Sequence, residues 1–334
     1  MKNSLISLLL FSLLSSPQAA LASQGKIIGE EHFSIPAWFK ESFLEIKEDN
    51  LEAIKNNKHL MLFMHIDRCP YCTRMLDENF RKGSAKDFIK NNFDVIALNI
   101  RGDREVNWND NTVYSEKQLA KKLNVHFTPT IVILNNKGKK VYQMNGYRQP
   151  QAFAHILNYI HEKQYLKQKL SDYIRQKKKN IYTFKSHPYF KKIINFSSSS
   201  TPFAVIFEDN NCSGCDEFHK EVLNHQSVLK ELKKFTVVRL DINSEQEVID
   251  NTGTRTSIRN WAKKLELDYR PGTILFDKGR EITRADGRLY HFHYKELLRY
   301  VSGKYYLKFP TYLQYLGPRQ KSLLKQGINI DVRR

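Results

Sequence analysis

All four cysteines of the chain fall in two C-x-x-C motifs, Cys69-Pro70-Tyr71-Cys72 and Cys212-Ser213-Gly214-Cys215. An isolated proline follows each motif at nearly the same distance, Pro129 at 60 residues past Cys69 and Pro271 at 59 past Cys212. Zinc ribbons set their two pairs roughly 15–20 residues apart, whereas the second motif here begins 143 residues after the first. A shared zinc site does not suit that spacing. A structural disulfide closing so short a loop removes little entropy from the unfolded chain, so it is a poor staple for 334 residues. Redox-active pairs, performing dithiol chemistry twice, are the favoured reading.

The first 22 residues indicate where this chemistry takes place. Lys2 supplies a minimal positive start, Leu5 to Leu14 is an apolar run broken only by serines, and Ala20-Leu21-Ala22 is a small-x-small cleavage site. The run is too short to span a bilayer, which needs about 20 apolar residues. A cleaved signal peptide, residues 1–22, and a periplasmic mature protein are therefore expected, with no cysteine near the cleavage site to take a lipid. The formal net charge is +19, and Lys2 leaves with the signal. Such an excess raises nucleic acid as a partner, but an exported chain rarely meets it. No nucleic acid is expected; peripheral contact with an anionic membrane surface or acidic protein partners fits better.

The halves repeat in register. Leu60 to His65 answers Phe203 to Glu208, and Phe93 to Ile100 answers Phe235 to Ile242. Glu105-Val106 matches Glu247-Val248, and Ala120-Lys121-Lys122-Leu123 matches Ala262-Lys263-Lys264-Leu265, nine residues ahead of Pro129 and Pro271 in turn. Each unit reads strand, C-x-x-C at a helix start, helix, strand, polar insertion, helix, proline, two strands joined by a glycine turn, and a final helix. That order predicts an α/β fold of two tandem units, each a mixed central sheet flanked by helices. The expected boundaries are 23–162 for the first unit and 181–303 for the second. Residues 163–180 read as a solvated, charged linker helix. Residues 304–334 read as a helical tail whose Phe309, Tyr312, Leu313 and Leu316 form an apolar face, with Pro318 expected to break or kink it.

With these residues in view, the chain resembles the thioredoxin superfamily, and more narrowly the periplasmic SoxW-type thioredoxin-like proteins of sulfur-oxidising bacteria. The resemblance spans roughly residues 36–303. It is carried by Asp67-Arg68-Cys69-Pro70-Tyr71-Cys72, the Arg101 to Tyr114 insertion and Thr128-Pro129-Thr130. It implies tandem thioredoxin-like folds, with Cys69 and Cys212 as nucleophiles, Cys72 and Cys215 as resolving cysteines, and Pro129 and Pro271 as cis-prolines. Pro70, Tyr71, Thr128 and Arg270 would then flank the substrate. The physics agrees: a cysteine at a helix N-terminus faces free N–H groups and the positive end of the dipole, which favours its thiolate.

Two departures stand out. The position six residues before each nucleophile, where thioredoxins carry a buried acid, holds Phe63 and Ile206. His65 and Glu208, two residues later on the same strand face, are candidate substitutes, or simply polar residues near the site. Arg270, before the second proline, either binds an acidic segment or is solvent-exposed. His291-x-His293 opens the last helix, where two rings two residues apart diverge, so no metal site is expected. The function expected is a thiol:disulfide oxidoreductase, with no cofactor beyond its redox-active disulfides, reducing disulfide-containing proteins or sulfur-compound intermediates. The resemblance further implies recharging by a membrane-bound electron donor of the disulfide-reductase transporter type. Net oxidation or isomerisation, and a non-catalytic binding role, most readily for the second unit, are the alternatives.

Overall fold

The central strand of each unit is buried on both faces, and that fixes the rest of the sheet. In β2 (His59–His65), Met61 and Phe63 point into one core while Leu60, Leu62 and Met64 point into another, the period-two alternation of a strand covered on both sides. β3 (Phe93–Asn99) pairs with it in parallel, and β6 (Thr130–Leu134) in antiparallel. β7 (Lys140–Asn145) completes the order β3-β2-β6-β7. The computed structural model describes residues 24–333 apart from residues 31, 83, 84, 110 and 178–180, so the expected signal peptide lies outside the described residues. The helices that precede the active loop and follow it are α1 (Ile46–Lys55) and α2 (Pro70–Met75), the latter continuing as a π-helical stretch over Leu76–Arg81. Next come α3 (Lys86–Asn92), α4 (Glu116–Lys122) and α5 (Pro150–His161). The polar insertion is a hairpin, β4 (Glu105–Asn109) against β5 (Thr112–Ser115).

After α6 (Leu170–Gln176) the second unit repeats this plan. β8 (Phe203–Glu208) lies between β9 (Thr236–Asp241) and β12 (Gly272–Asp277), with β13 (Arg280–Ala285) outside, in the order β13-β12-β8-β9. The short α7 (Cys215–Glu217) runs into a π-helical stretch, Phe218–Leu223, and is followed by α8 (Gln226–Leu232). The hairpin β10 (Glu247–Ile249) with β11 (Arg255–Ser257), then α9 (Ile258–Lys264) and α10 (His291–Ser302), complete the repeat. The tail forms α11 (Tyr312–Lys325) and β14 (Ile330–Asp331), which pairs with the N-terminal β1 (Ile27–Ile28).

The supposed linker and the tail are a further pair of equivalent elements. In both units the final helix ends in a left-handed lysine, Lys163 or Lys304, followed by a 3₁₀ turn over Gln164–Leu166 or Tyr305–Leu307. Tyr159 donates its hydroxyl to the Gln168 carbonyl and Tyr300 to that of Phe309, each at 2.7 Å. Over its described residues, 163–177, the expected linker is thus not a solvated one: Leu170 and Tyr173 are buried in the core of the first unit. Its lysines and glutamines hid two apolar residues three apart, which suffice to dock one helix face. In the tail, Tyr312, Tyr315, Leu316 and Leu323 are buried, while Leu313 is only partly so. The helix runs past Pro318 to Lys325. Gly317, with no Cβ to crowd the proline ring, makes that continuation tolerable.

The two units meet through the loops that follow β7 and β13. A Cβ on Gly287 would lie 3.0 Å from the Cα of Gly146 and 2.8 Å from the Asn145 carbonyl oxygen, so the backbones touch. Around this point Tyr71 reaches across: its hydroxyl accepts from the Tyr290 amide at 2.9 Å, lies 2.9 Å from His293 Nδ1, and its ring stacks on Tyr290. Arg74 donates to the Tyr290 hydroxyl at 3.3 Å, and the Arg148 guanidinium covers the Tyr269 ring at 4.3 Å.

Two outcomes follow from this packing. Leu170→Ala should lower stability to urea by about 2–4 kcal/mol, the cost of a buried leucine, whereas a solvated linker would give a change within about 0.5 kcal/mol. Burial also pushes His59, His291 and His293 down to about 4, so the folded protein binds fewer protons than the unfolded chain between about pH 4 and the ordinary histidine value. The histidine contribution is complete above pH 6.5 and is lost as pH falls through that window, so the urea midpoint should drop from pH 7 to pH 5. His293→Gln should make the drop shallower; an unchanged pH dependence would contradict the assignment.

Candidate active site

The first cysteine pair sits where β2 hands over to α2. Cys69 and Cys72 are joined in a disulfide, with Cα atoms 5.1 Å apart. Cys69 is the N-cap of α2 and its Sγ accepts from the Cys72 amide at 3.1 Å, while Pro70 occupies the first helical position, where its fixed φ suits the helix and its missing N–H costs nothing. The Thr128–Pro129 peptide is cis, and the Thr128 hydroxyl lies 3.5 Å from Cys69 Sγ. Cys69 is only 3% exposed. It opens onto a cleft of about 170 Å³ whose far wall is formed by the second unit and by α11 (Tyr312, Leu316). Pro70, Tyr71 and Thr128 line the same cleft, but the Tyr71 hydroxyl is already engaged by the second unit. His65 is half-buried among Phe33 and Phe63, its Nδ1 has no partner, and burial lowers its pKa.

The second centre has the same backbone plan and different chemistry. Cys212 and Cys215 are bonded, with Cα atoms 5.5 Å apart, and the Arg270–Pro271 peptide is cis. The expected helix start at Cys212 is not found: Gly214 is the cap, and the first helical residue is Cys215. Ser213-Gly214 replaces the proline that starts α2, and glycine is a poor helix former, so the helix begins two residues later than α2 does. Cys212 therefore lacks the N-cap position that Cys69 has. Arg270, for which exposure to solvent was one option, is 8% exposed and donates from Nε to Asp209 at 2.9 Å.

Beside this pair lies a buried polar cluster built on Glu208, one of the two residues the sequence offered in place of the missing acid. Glu208 is fully buried; its carboxylate accepts from the Tyr182 hydroxyl at 3.0 Å and lies 2.6 Å from His219 Nε2, while the Tyr182 hydroxyl is 3.2 Å from the same nitrogen. Tyr182 packs on both cysteines. A carboxylate–imidazole pair of this kind can take up or return one proton beside the dithiol. The first unit has His65 where Glu208 stands and Leu76 where His219 stands. One signal in the sequence pointed to His219: it is four residues beyond Cys215 and so shares its helix face. Tyr182 had none, since it comes from a strap, residues 181–188, that is pinned to the Asn210 carbonyl. Tyr290 and His293 were likewise unreadable, because they act on the other unit. His291 stacks on His225 while His293 turns to Tyr71, so the two rings do diverge.

The thioredoxin-like domain family matches twice, over residues 46–161 and 189–302, together more than half of the chain. No curated protein matches the chain. Among solved structures, a thioredoxin-fold protein from Helicobacter pylori is similar at 26% identity, covering 40% of this chain and 96% of its own, with a TM-score of 0.33. A DsbH oxidoreductase shares 16% identity over 39% of this chain and 91% of its own, with a TM-score of 0.27. The AhpF component of the Enterococcus faecalis alkylhydroperoxide reductase shares 11% over 78% of this chain and 99% of its own, also at 0.27. With both units matched and a cysteine pair in each, the chain belongs to the thioredoxin-like domain family, of which it carries two copies in tandem.

Proposed function

We propose that the protein is a periplasmic thiol:disulfide oxidoreductase of the SoxW type, working mainly as a reductant of protein disulfides or sulfur-compound intermediates. The observation that carries this reading is the pairing, in each thioredoxin-like unit, of a C-x-x-C disulfide with a cis-proline loop, Thr128 Oγ1 lying 3.5 Å from Cys69 Sγ. In the reduced first unit the Cys69 thiolate attacks one sulfur of a substrate disulfide, and the other sulfur leaves as a thiolate. Cys72 then loses its proton and attacks Cys69, so the second substrate thiolate departs and the protein is left oxidised. Two electrons pass to the substrate, and both released thiolates take protons from solvent.

The leader features of the sequence support the periplasmic placement. In an oxidising compartment a reductant must be recharged, and the reading assigns this to a membrane-bound dithiol donor of the disulfide-reductase transporter type; the basic surface suits contact with an anionic membrane face. The units divide the work. A capped thiolate stabilises the reduced dithiol and makes the first unit the better electron acceptor, while Cys212, without the cap, is the better electron donor. Electrons therefore run from the donor to the second unit, then to the first, then to substrate.

Cys69→Ser should abolish reduction of insulin with dithiothreitol as electron source. Cys212→Ser should retain most activity on a small model disulfide and impair transfer from the physiological donor. Equal losses with the small substrate would indicate two equivalent sites, and full activity of Cys69→Ser would reverse the order of the units.

A further inference from the structure

The second dithiol opens onto a small cavity of about 60 Å³, distinct from the cleft at Cys69, and Arg270 lines it beside Cys212. The guanidinium of Arg270 is over nine-tenths buried; Nε is satisfied by Asp209, but Nη1 is buried with no hydrogen-bond partner. A buried guanidinium N–H without an acceptor is costly, and a carboxylate or similar anion is the partner its planar geometry suits best. Arg148 and Lys177 line the same cavity, against the carboxyls of Asp209 and Asp268. Arg148 also faces Asp286 at 3.8 Å, so what the cavity offers an anion is the orphaned Nη1 of Arg270 and not a surplus of charge. In the first unit the corresponding residues are Ile66 and Thr128, so the ion pair and its spare donor belong to the second centre alone.

We propose that the Cys212 centre is selective for anionic sulfur partners, with Arg270 Nη1 binding a carboxylate carried next to the sulfur that Cys212 attacks or releases. This rests on the exchange reading above. The carboxylate belongs either to a small disulfide or to an acidic segment of a protein partner. In the exchange itself the Cys212 thiolate bonds to one sulfur of the partner and the other leaves as a thiolate. Cys215 then closes the protein disulfide and releases the first, so the partner gains two electrons and the protein loses two; the reverse sequence loads the protein.

The test uses the full chain carrying Cys69→Ser and Cys72→Ser, reduced with dithiothreitol and freed of it. Oxidation of the remaining pair is followed by quenching with an alkylating agent and mass spectrometry. The probes are glutathione disulfide, a peptide disulfide with glutamates flanking its cysteine, neutral hydroxyethyl disulfide and cationic cystamine. Each rate is divided by that for the same protein unfolded in urea, which removes the intrinsic reactivity of the probe. At least one anionic probe should exceed cystamine by about tenfold, the scale on which charge complementarity discriminates between partners. Arg270→Gln should bring that ratio close to one, and Arg270→Lys should restore only part of it, since it keeps the charge without the second donor arm. Dependence confined to the peptide would identify a protein segment as the source of the carboxylate, and dependence shared with glutathione disulfide a small molecule. Equal normalised rates for all probes, or a preference that survives Arg270→Gln, would overturn the proposal. Absence of oxidation by every probe, hydroxyethyl disulfide included, would instead refute exchange at this centre.

Discussion

The contact of Gly146 with Gly287 is the constraint around which the molecule is arranged. Each glycine belongs to the loop that follows the last strand of its unit, close to the cysteines, and neither can carry a side chain without displacing the other backbone. Because these loops meet, the active face of the first unit looks at the second. Cys69 faces α10 and α11 across its cleft, and the α5 residues Gln151 and Ile156 border the cavity at Cys212. The loop through Gly287 and Leu289 that follows β13 borders both the Cys69 cleft and the cavity at Gly214 and Pro271. Tyr71, buried and bonded to His293 and Tyr290, ties the first motif to this arrangement directly. Access to Cys69 is therefore along a narrow cleft, which suits an extended segment or a small disulfide and not a broad folded surface.

Duplication gave two copies of one backbone, and the side chains then diverged where electrons move. The first motif places a cysteine at a helix cap behind a proline; the second delays the helix, so its leading cysteine loses that stabilisation. The second gains a buried carboxylate–imidazole–phenol cluster and an arginine–aspartate pair, where the first has His65 and Leu76, and Ile66 and Thr128, in place of Glu208 and His219, and Asp209 and Arg270. A thiol without the helix cap is a poorer thiolate. On the proposed reading this sets the two pairs at different electron affinities within one chain, as a donor–acceptor sequence requires.

Much of this was legible in the sequence, for identifiable reasons. The strands were readable because the halves repeat in register, so Phe93 to Ile100 and Phe235 to Ile242 each support the other's assignment. The cysteines and Pro129 and Pro271 were found by spacing. What escaped was of two kinds. Short docking faces were masked by charge, as with Leu170 and Tyr173 in a run of lysines. Groups that act across distance in sequence left no local trace: Tyr182 reaches Glu208 from an inserted strap, and His293 reaches Tyr71 from 222 residues away. The late start of α7 was in principle readable, since glycine and serine are poor substitutes for a proline at the first turn.

The central claim is that the two dithiols are unequal and ordered, and their separate redox midpoints test it most directly. The full protein, equilibrated in buffers of reduced and oxidised dithiothreitol and quenched with an alkylating agent, gives the fraction reduced at each motif by mass spectrometry. Loss of a helix-cap contribution on the order of 1–2 kcal/mol corresponds to roughly 20–40 mV for a two-electron couple. The account predicts that Cys69–Cys72 is reduced first, with Cys212–Cys215 lower by about that amount. Coincident midpoints, or a second pair that is the easier to reduce, would contradict it.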